Sequence, residues 1–215
     1  MSDEIVLYRS VASRSVTALW LLEELGVPYR LETRDLKKGE TRDPAYLKIN
    51  PFGKVPTLAI GDQVTFENPA ICLLLADRYS YGALAPKLED PARGPYMTWT
   101  VWATSALEPA SALEGHDIPP KRPGDWHFGF GKLTPELDAL EAALASGGGY
   151  LAGGRFTAAD VMVGSVVALR LFTGQIPRRP TLAEYVDRLS ARSAFKHAAD
   201  INWPPAEFAH VQPVP

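Results

Sequence analysis

The stretch Asn50-Pro51-Phe52-Gly53-Lys54-Val55-Pro56-Thr57-Leu58 constrains the fold more than any other part of the chain, because it sets a proline at the mouth of a strand. Proline has no amide hydrogen to give to a ladder and is confined to sheet edges, strand starts and bulges. Val55-Pro56 therefore marks a sheet margin where the Val55 N–H and C=O can face something other than protein. A cis X-Pro bond costs only about 0.5 to 1 kcal/mol, and at this place it turns the chain sharply and presents those two groups outward. An extended peptide laid antiparallel to such an edge is read through main-chain hydrogen bonds, as in strand addition. The plainer alternative is an edge strand that simply begins with proline.

Around this segment the periodicities describe a small α/β unit over residues 1–80. Ile5 to Tyr8 reads as a short buried strand, and after Ser15 the residues Ala18, Leu21, Leu22 and Leu25 fall at i, i+3, i+4 and i+7 of a helix that Gly26 and Pro28 stop. Tyr29 to Thr33 alternates as a half-covered strand does. Strand, helix, strand is the βαβ unit with parallel strands. An irregular or helical connection from Leu36 to Asn50 leads to Thr57–Ile60 and Gln63–Phe66, hinged at Gly61-Asp62, and Pro69 to Tyr79 closes the order βαβ-ββα with a helix.

Residues 81–92 break into Gly, Pro and charge and read as a linker, and residues 93–215 read as an all-helical domain. Tyr96, Trp99, Ala103, Ala106 and Ala110 share one face. Thr134-Pro135 reads as an N-cap with proline at the first helical position, before Leu137, Leu140 and Leu144, and Gly147-Gly148-Gly149 ends that helix. Thr157-Ala158-Ala159-Asp160 has the capping-box spacing, with Phe156 and Val161 at the staple positions, and Thr181 with Glu184 repeats it more weakly. From Trp203 onward the prolines predict an irregular tail.

Twenty-two basic and 25 acidic residues leave a net charge of −3, which offers no field for a nucleic-acid backbone or an anionic membrane. With no apolar run of about 18 residues, and with the acidic start Met1-Ser2-Asp3-Glu4 running straight into a strand, neither a membrane span nor a signal peptide is expected, and the cytoplasm is the expected address. A single cysteine, Cys72, excludes an internal disulfide, a Cys-x-x-Cys pair and a cysteine-rich metal site; within the apolar run Ile71 to Ala76 it is expected to be a buried, inert thiol. His116 and His127 show no metal-ligand spacing, so no metal is expected.

Tyr8 at the end of the first strand, Ser13-Arg14-Ser15 opening the helix that carries Leu19-Trp20-Leu21-Leu22-Glu23-Glu24-Leu25-Gly26, Asn50 to Leu58, Phe66-Glu67-Asn68-Pro69-Ala70-Ile71, and Phe156 to Asp160 fall in an order that resembles the cytosolic glutathione transferases over nearly the whole chain. The Ser-Arg-Ser start is most similar to bacterial and fungal members of serine type. The resemblance implies a thioredoxin-like N-terminal domain that binds glutathione as co-substrate, a helical domain that holds a hydrophobic electrophile, conjugation chemistry in a detoxifying role, and a cytoplasmic homodimer. An isomerase, peroxidase or lyase on the same site, or a non-catalytic interaction module, are the alternatives.

Glutathione, γ-Glu-Cys-Gly, brings one thiol, two carboxylates and one ammonium. Its thiol has a pKa near 8.5, so only about 3% is thiolate at pH 7, and a hydroxyl donor and a helix N-terminus both favour the anion. The resemblance points to Ser13 as that donor, with Tyr8, where tyrosine-type members donate, and Ser15 as alternatives. The plainer roles are a strand-end aromatic packed on the core for Tyr8 and a simple helix cap for Ser15; Arg14 tunes the thiolate or is a surface charge. Asn68-Pro69, read as an N-cap followed by proline, lays the donors of the third helix before the γ-Glu carboxylate, although the family more often has serine at that place, and Glu67 meets the ammonium. Lys54, and more weakly Arg42, are the candidates for the glycyl carboxylate, the alternative for each being a solvated surface cation, while Val55 and Pro56 supply the main-chain edge. Trp99, Trp102 and Ser105 on the first helix of the second domain, with Trp203 on the tail, are the electrophile candidates, though an aromatic stripe at helical spacing is also what a core looks like. Phe52 either plugs a partner subunit or covers its own domain.

Overall fold

The structure, a computed structural model, describes residues 4–115 and 129–204; His116, His127 and the prolines from Pro205 onward lie outside the described residues. The chain divides into two compact units, one running through Ser80 and resuming at Arg192, the other spanning Tyr81–Ala191.

The first unit is built on a four-stranded sheet, β1 (Ile5–Arg9), β2 (Arg30–Thr33), β3 (Thr57–Ile60) and β4 (Gln63–Phe66), in the order β2-β1-β3-β4. β1 runs parallel to β2 and antiparallel to β3, and β3 is antiparallel to β4, the thioredoxin-like arrangement. As the inner strand flanked on both sides, β1 carries the apolar run Ile5, Val6 and Leu7, all buried. The helices are α1 (Val16–Leu25), the single turn α2 (Pro44–Leu47), which follows a 3-10 turn at Glu40–Arg42, and α3 (Asn68–Tyr79).

The spacing of Ala18, Leu21 and Leu22 predicted one covered face on α1, yet Val16 to Leu22 are all buried. The reason is α9 (Ser193–Asn202), which belongs to the first unit although the sequence predicts one helical domain over 93–215. α9 packs on α1, with Phe195 edge-on to Trp20 at 5.0 Å between ring centroids and Ala198 fully buried. Arg192 fixes its start by donating from Nε and Nη2 to the two oxygens of Glu24 at 2.6 and 2.7 Å, a bidentate pair on a carboxylate that is itself nearly buried. With α3 against it as well, α1 is buried on every side from Val16 to Leu22, and that part of it carries no charged residue.

The second unit is helical. α4 (Arg93–Trp102) continues through a π-helical turn (Ala103–Leu107) into α5 (Glu108–Gly115), followed by α6 (Leu133–Ser146), α7 (Ala158–Phe172) and α8 (Pro180–Ser190). α7 is the central helix, buried from Ala158 to Val167 and packed on α4 and α8. The capping box forms as its spacing predicts: Thr157 and Asp160 exchange side-chain and main-chain bonds. The other two caps move. α6 starts at Leu133 behind Lys132, so Thr134 is a first-turn residue, and α8 starts at Pro180 behind Arg179, which leaves Thr181 inside the helix. Tyr96, Ala103, Ala106 and Ala110 are buried as one face, while Trp99 is only half-buried. No helix among the described residues is long and apolar enough to cross a membrane.

Candidate functional site

The register Tyr8↔Thr57↔Phe66 brings three chain segments to one end of the sheet: the loop after β1 that holds Ser13, the approach to β3 that holds Val55-Pro56, and Glu67 after β4. A ladder of antiparallel neighbours does this by necessity, because β1 and β4 leave the sheet at the edge where β3 enters it.

In the first segment, Ser13 Oγ donates to the Ser10 carbonyl at 2.7 Å, accepts the Ser15 N–H at 3.2 Å and lies 2.8 Å from Ser15 Oγ. Ser15 occupies the cap position of α1, but its backbone is already helical and its side chain makes no capping bond; its buried hydroxyl belongs to Ser13 instead. Ser13 has one proton to give. When an anion takes it in place of the Ser10 carbonyl, the Ser15 hydroxyl can turn and donate to Ser13 Oγ, which strengthens the bond to the anion through the chain of donors. The loop contains no glycine, yet Ala12 sits at φ 51°, in the left-handed region that non-glycine residues rarely enter.

The second segment is shaped by a buried polar cluster that the sequence reading missed. Tyr46 Oη donates to the Lys54 carbonyl at 2.6 Å and lies 2.9 Å from Thr57 Oγ1. Asn50 Nδ2 lies within bonding distance of the same carbonyl and hydroxyl, at 3.1 and 2.8 Å, while Asn50 Oδ1 accepts the Phe52 N–H. The only hint was Asn50 and Thr57, two buried polar residues on either side of Pro56. The Val55-Pro56 bond is cis, Val55 is half-exposed, and the Lys54 side chain is in solvent. Arg42 Nη1 donates to the Phe52 carbonyl at 3.2 Å, so this guanidinium is tied to the loop rather than projecting from it.

In the third segment Glu67, not Asn68, holds the cap position of α3, with φ 72° and ψ 120°; Asn68 and Pro69 are its first helical residues. A non-glycine residue in that conformation marks a strained point of a kind that clusters at ligand sites. The predicted Asn68 cap is therefore corrected: Asn68 Nδ2 crosses to the Arg14 carbonyl at 3.1 Å, which ties the start of α3 to the Ser13 loop. Its Oδ1 is buried with no hydrogen-bond partner among the described residues. The Asn68 and Ala70 N–H groups precede the first intrahelical bond, Ile71 N–H to the Glu67 carbonyl, at a helix start where Asn68 is buried and Ala70 exposed. Tyr8 is packed: its ring lies 5.7 Å from Tyr46 with the Arg34 guanidinium 5.5 Å from its centre.

The chain has relatives among known proteins over most of its length. Residues 13–78 match the glutathione S-transferase N-terminal domain and residues 127–188 the C-terminal domain. A glutathione S-transferase of Arabidopsis thaliana is 34% identical over 213 residues, covering 91% of this chain and 96% of the relative. The chain belongs to the glutathione S-transferase family. A maize glutathione S-transferase is 29% identical over 86% of this chain and 88% of its own. A crystal structure of a glutathione transferase from Methylococcus capsulatus aligns with a TM-score of 0.75 at 27% identity, covering 92% of this chain and 98% of that one.

The remaining candidates of this transferase fall in different units. Trp99 and Trp102 on α4 meet edge to face at 4.9 Å, and Trp102 Nε1 donates to Glu136 Oε2 on α6 at 2.6 Å. Ser105 is exposed on the π-helical turn. Trp203 is half-buried and belongs to the first unit, one residue beyond α9. Cys72 is fully buried on α3, and burial pushes its thiol up to about 12, the inert state its apolar run predicts. Among the described residues no cluster of three His, Cys, Asp or Glu side chains is placed to hold a metal ion.

Proposed function

We propose that this family member conjugates glutathione to hydrophobic electrophiles, with Ser13 as the hydroxyl that stabilises the thiolate. The observation that carries the reading is the Ser13 hydroxyl at the start of α1, backed by the buried Ser15 hydroxyl at 2.8 Å, at the same sheet end as the Val55-Pro56 edge. Glutathione laid along that edge pairs its cysteinyl main chain with Val55, its γ-Glu carboxylate with the open N–H groups at the start of α3, and its ammonium with Glu67. Lys54, whose side chain is in solvent, reaches the glycyl carboxylate; Arg42 supports it by holding the loop, and Arg14 adds positive charge near the thiolate.

Thiolate stabilisation is a modest part of the rate. Lowering the thiol pKa by about two units raises the thiolate fraction at pH 7 roughly 25-fold, and with a Brønsted slope near 0.45 the weaker nucleophile returns about 8-fold of that. Most of the acceleration comes from holding the electrophile beside the sulfur, where proximity contributes about 7 to 11 kcal/mol at its limit. With an aryl halide, the thiol proton goes to solvent, the sulfur lone pair forms the S–C bond, and the C–halogen bond breaks to release halide. Trp99, Trp102, Ser105 and Trp203 are the residues we assign to the electrophile, and a cytoplasmic, detoxifying homodimer is the setting we infer.

Calorimetric titration with glutathione and turnover of a generic aryl halide test the reading together. Binding with turnover is the expected result. Binding without turnover would favour an isomerase, peroxidase or lyase; no binding at millimolar glutathione would remove the enzyme and leave an interaction module.

A further inference from the structure

Asn202, the last residue of α9, is fully buried and lies 189 positions from the serine it touches. Its Nδ2 donates to the Ser13 carbonyl at 3.0 Å. Its own carbonyl accepts the Ala12 N–H at 2.8 Å, and the carbonyl before it, Ile201, accepts from Arg9 Nη1 at 3.1 Å. The last carbonyls of a helix have no partner within it. Here two of them are satisfied by the end of β1 and the loop that follows, with a nearly buried arginine at the negative end of the helix, where a cation is favoured.

We propose that Asn202 is a positioning residue for Ser13: through the main chain of Ala12 and Ser13 it sets where the Ser13 hydroxyl stands relative to the glutathione sulfur. The proposal rests on Ser13 being the hydroxyl donor. Two observations carry it. Ser10 to Ser15 contains neither glycine nor proline to preset its path, so the left-handed Ala12 is held from outside the loop, and the bond on its N–H comes from Asn202. The amide is also a poor choice for stability alone, since its Oδ1 is buried with no hydrogen-bond partner among the described residues. An apolar residue there would avoid that cost but would release the Ser13 carbonyl. α9 is a firm anchor, docked on α1 through Phe195 and the Arg192–Glu24 pair.

Asn202→Leu keeps the bulk and removes the donor, with Asn202→Ala as the second choice should leucine not be accommodated. Phe195→Leu is the control, because it loosens α9 on Trp20 without touching the loop. In each, the melting temperature, glutathione affinity, ultraviolet titration of the bound thiol and pH dependence of kcat/KM are measured. Expected for Asn202→Leu is glutathione affinity near that of wild type, a thiol pKa raised by about one unit, and kcat/KM below pH 7 lowered about tenfold, as small misplacements at a reacting centre can do. Phe195→Leu should lower the melting temperature and leave the thiol pKa in place. An unchanged thiol pKa in Asn202→Leu, or an equal shift in both variants, overturns the proposal. Wild-type protein that does not bind glutathione, or a Ser13→Ala variant with an unchanged thiol pKa, instead strikes down the reading beneath it, and the proposal falls with that.

Discussion

Ser15 Oγ stands 2.8 Å from Ser13 Oγ at the start of α1, fully buried where Ser13 is only partly so. The geometry separates a hydroxyl that can meet a ligand from one that can act only through its neighbour. A hydrogen bond to a charged acceptor is worth about 1.5 to 3 kcal/mol and a neutral one about 0.5 to 1.5. Ser13→Ala is therefore expected to lower kcat/KM roughly 10- to 100-fold, and Ser15→Ala roughly 2- to 10-fold with a smaller rise in the bound-thiol pKa. The reverse order of effects would make Ser15 the donor.

Gly53 turns the loop before β3 at φ 57°, and a Cβ on it would lie 2.7 Å from the Thr41 carbonyl oxygen and 2.8 Å from Arg42 Nη1. The arginine can swing away; the carbonyl is main chain and cannot do so without moving the turn. Gly53→Ala combines a left-handed alanine with that clash, for a loss of about 1 to 3 kcal/mol in urea denaturation. Because the same turn carries Lys54 and Val55, glutathione affinity should fall with it. Wild-type affinity in Gly53→Ala would show that the loop does not hold the ligand.

The strands and the first unit's long helices α1 and α3 were legible because their apolar residues recur at strand or helix spacing, as Tyr29 to Thr33 and Ala18, Leu21, Leu22 and Leu25 do, even where α9 buries more of α1 than that spacing implies. α9 was not. Its buried positions Ala198 and Asn202, beside the half-buried Phe195 and Ala199, keep helical spacing, but alanine and asparagine give little apolar contrast. Thr134 and Thr181 misled because a threonine beside a proline scores as a cap in more than one register, and the structure uses Lys132 and Arg179, which cap with main chain alone. The three site segments could be recognised as motifs. Their ties could not, since the bonds from Asn68 to Arg14 and from Asn202 to Ser13 join positions that no local pattern relates.

Phe52 is 59% exposed, with its ring edge-on to Phe66 at 5.4 Å. One side of the ring is covered by its own domain and the rest faces water, an arrangement with no gain for a lone chain. If a partner subunit covers it, each ring contributes roughly 2 kcal/mol to assembly, counted twice in a two-fold dimer. Sedimentation is expected to show a dimer for wild type and a dimer dissociating at much lower dilution for Phe52→Ala. A monomeric wild type ends the homodimer proposal.

Asp160 sets two effects against each other in one fully buried carboxyl. It accepts the Thr157 N–H at 2.9 Å, the Thr157 hydroxyl at 3.2 Å, the Leu151 N–H at 3.1 Å and the Tyr185 hydroxyl at 3.1 Å, all of which favour the ionised form. Burial opposes them and wins, pushing the carboxyl up to about 6. With the folded-state value above the unfolded one near 3.9, the folded protein binds this proton more tightly. The associated stability is complete below about pH 4 and is lost as the pH rises through about 6, by up to roughly 3 kcal/mol. Asp160→Asn has no such titration and replaces one carboxyl oxygen by an NH2 that cannot accept, while both oxygens take bonds in wild type, so it should be less stable than wild type throughout. The other carboxyls titrate alike in both proteins and cancel in the difference. Urea denaturation at pH 4.5 and 7.5 should therefore give a gap between wild type and Asp160→Asn that narrows at the higher pH. A gap that widens instead would mean that these donors outweigh burial and that Asp160 is ionised throughout the working range.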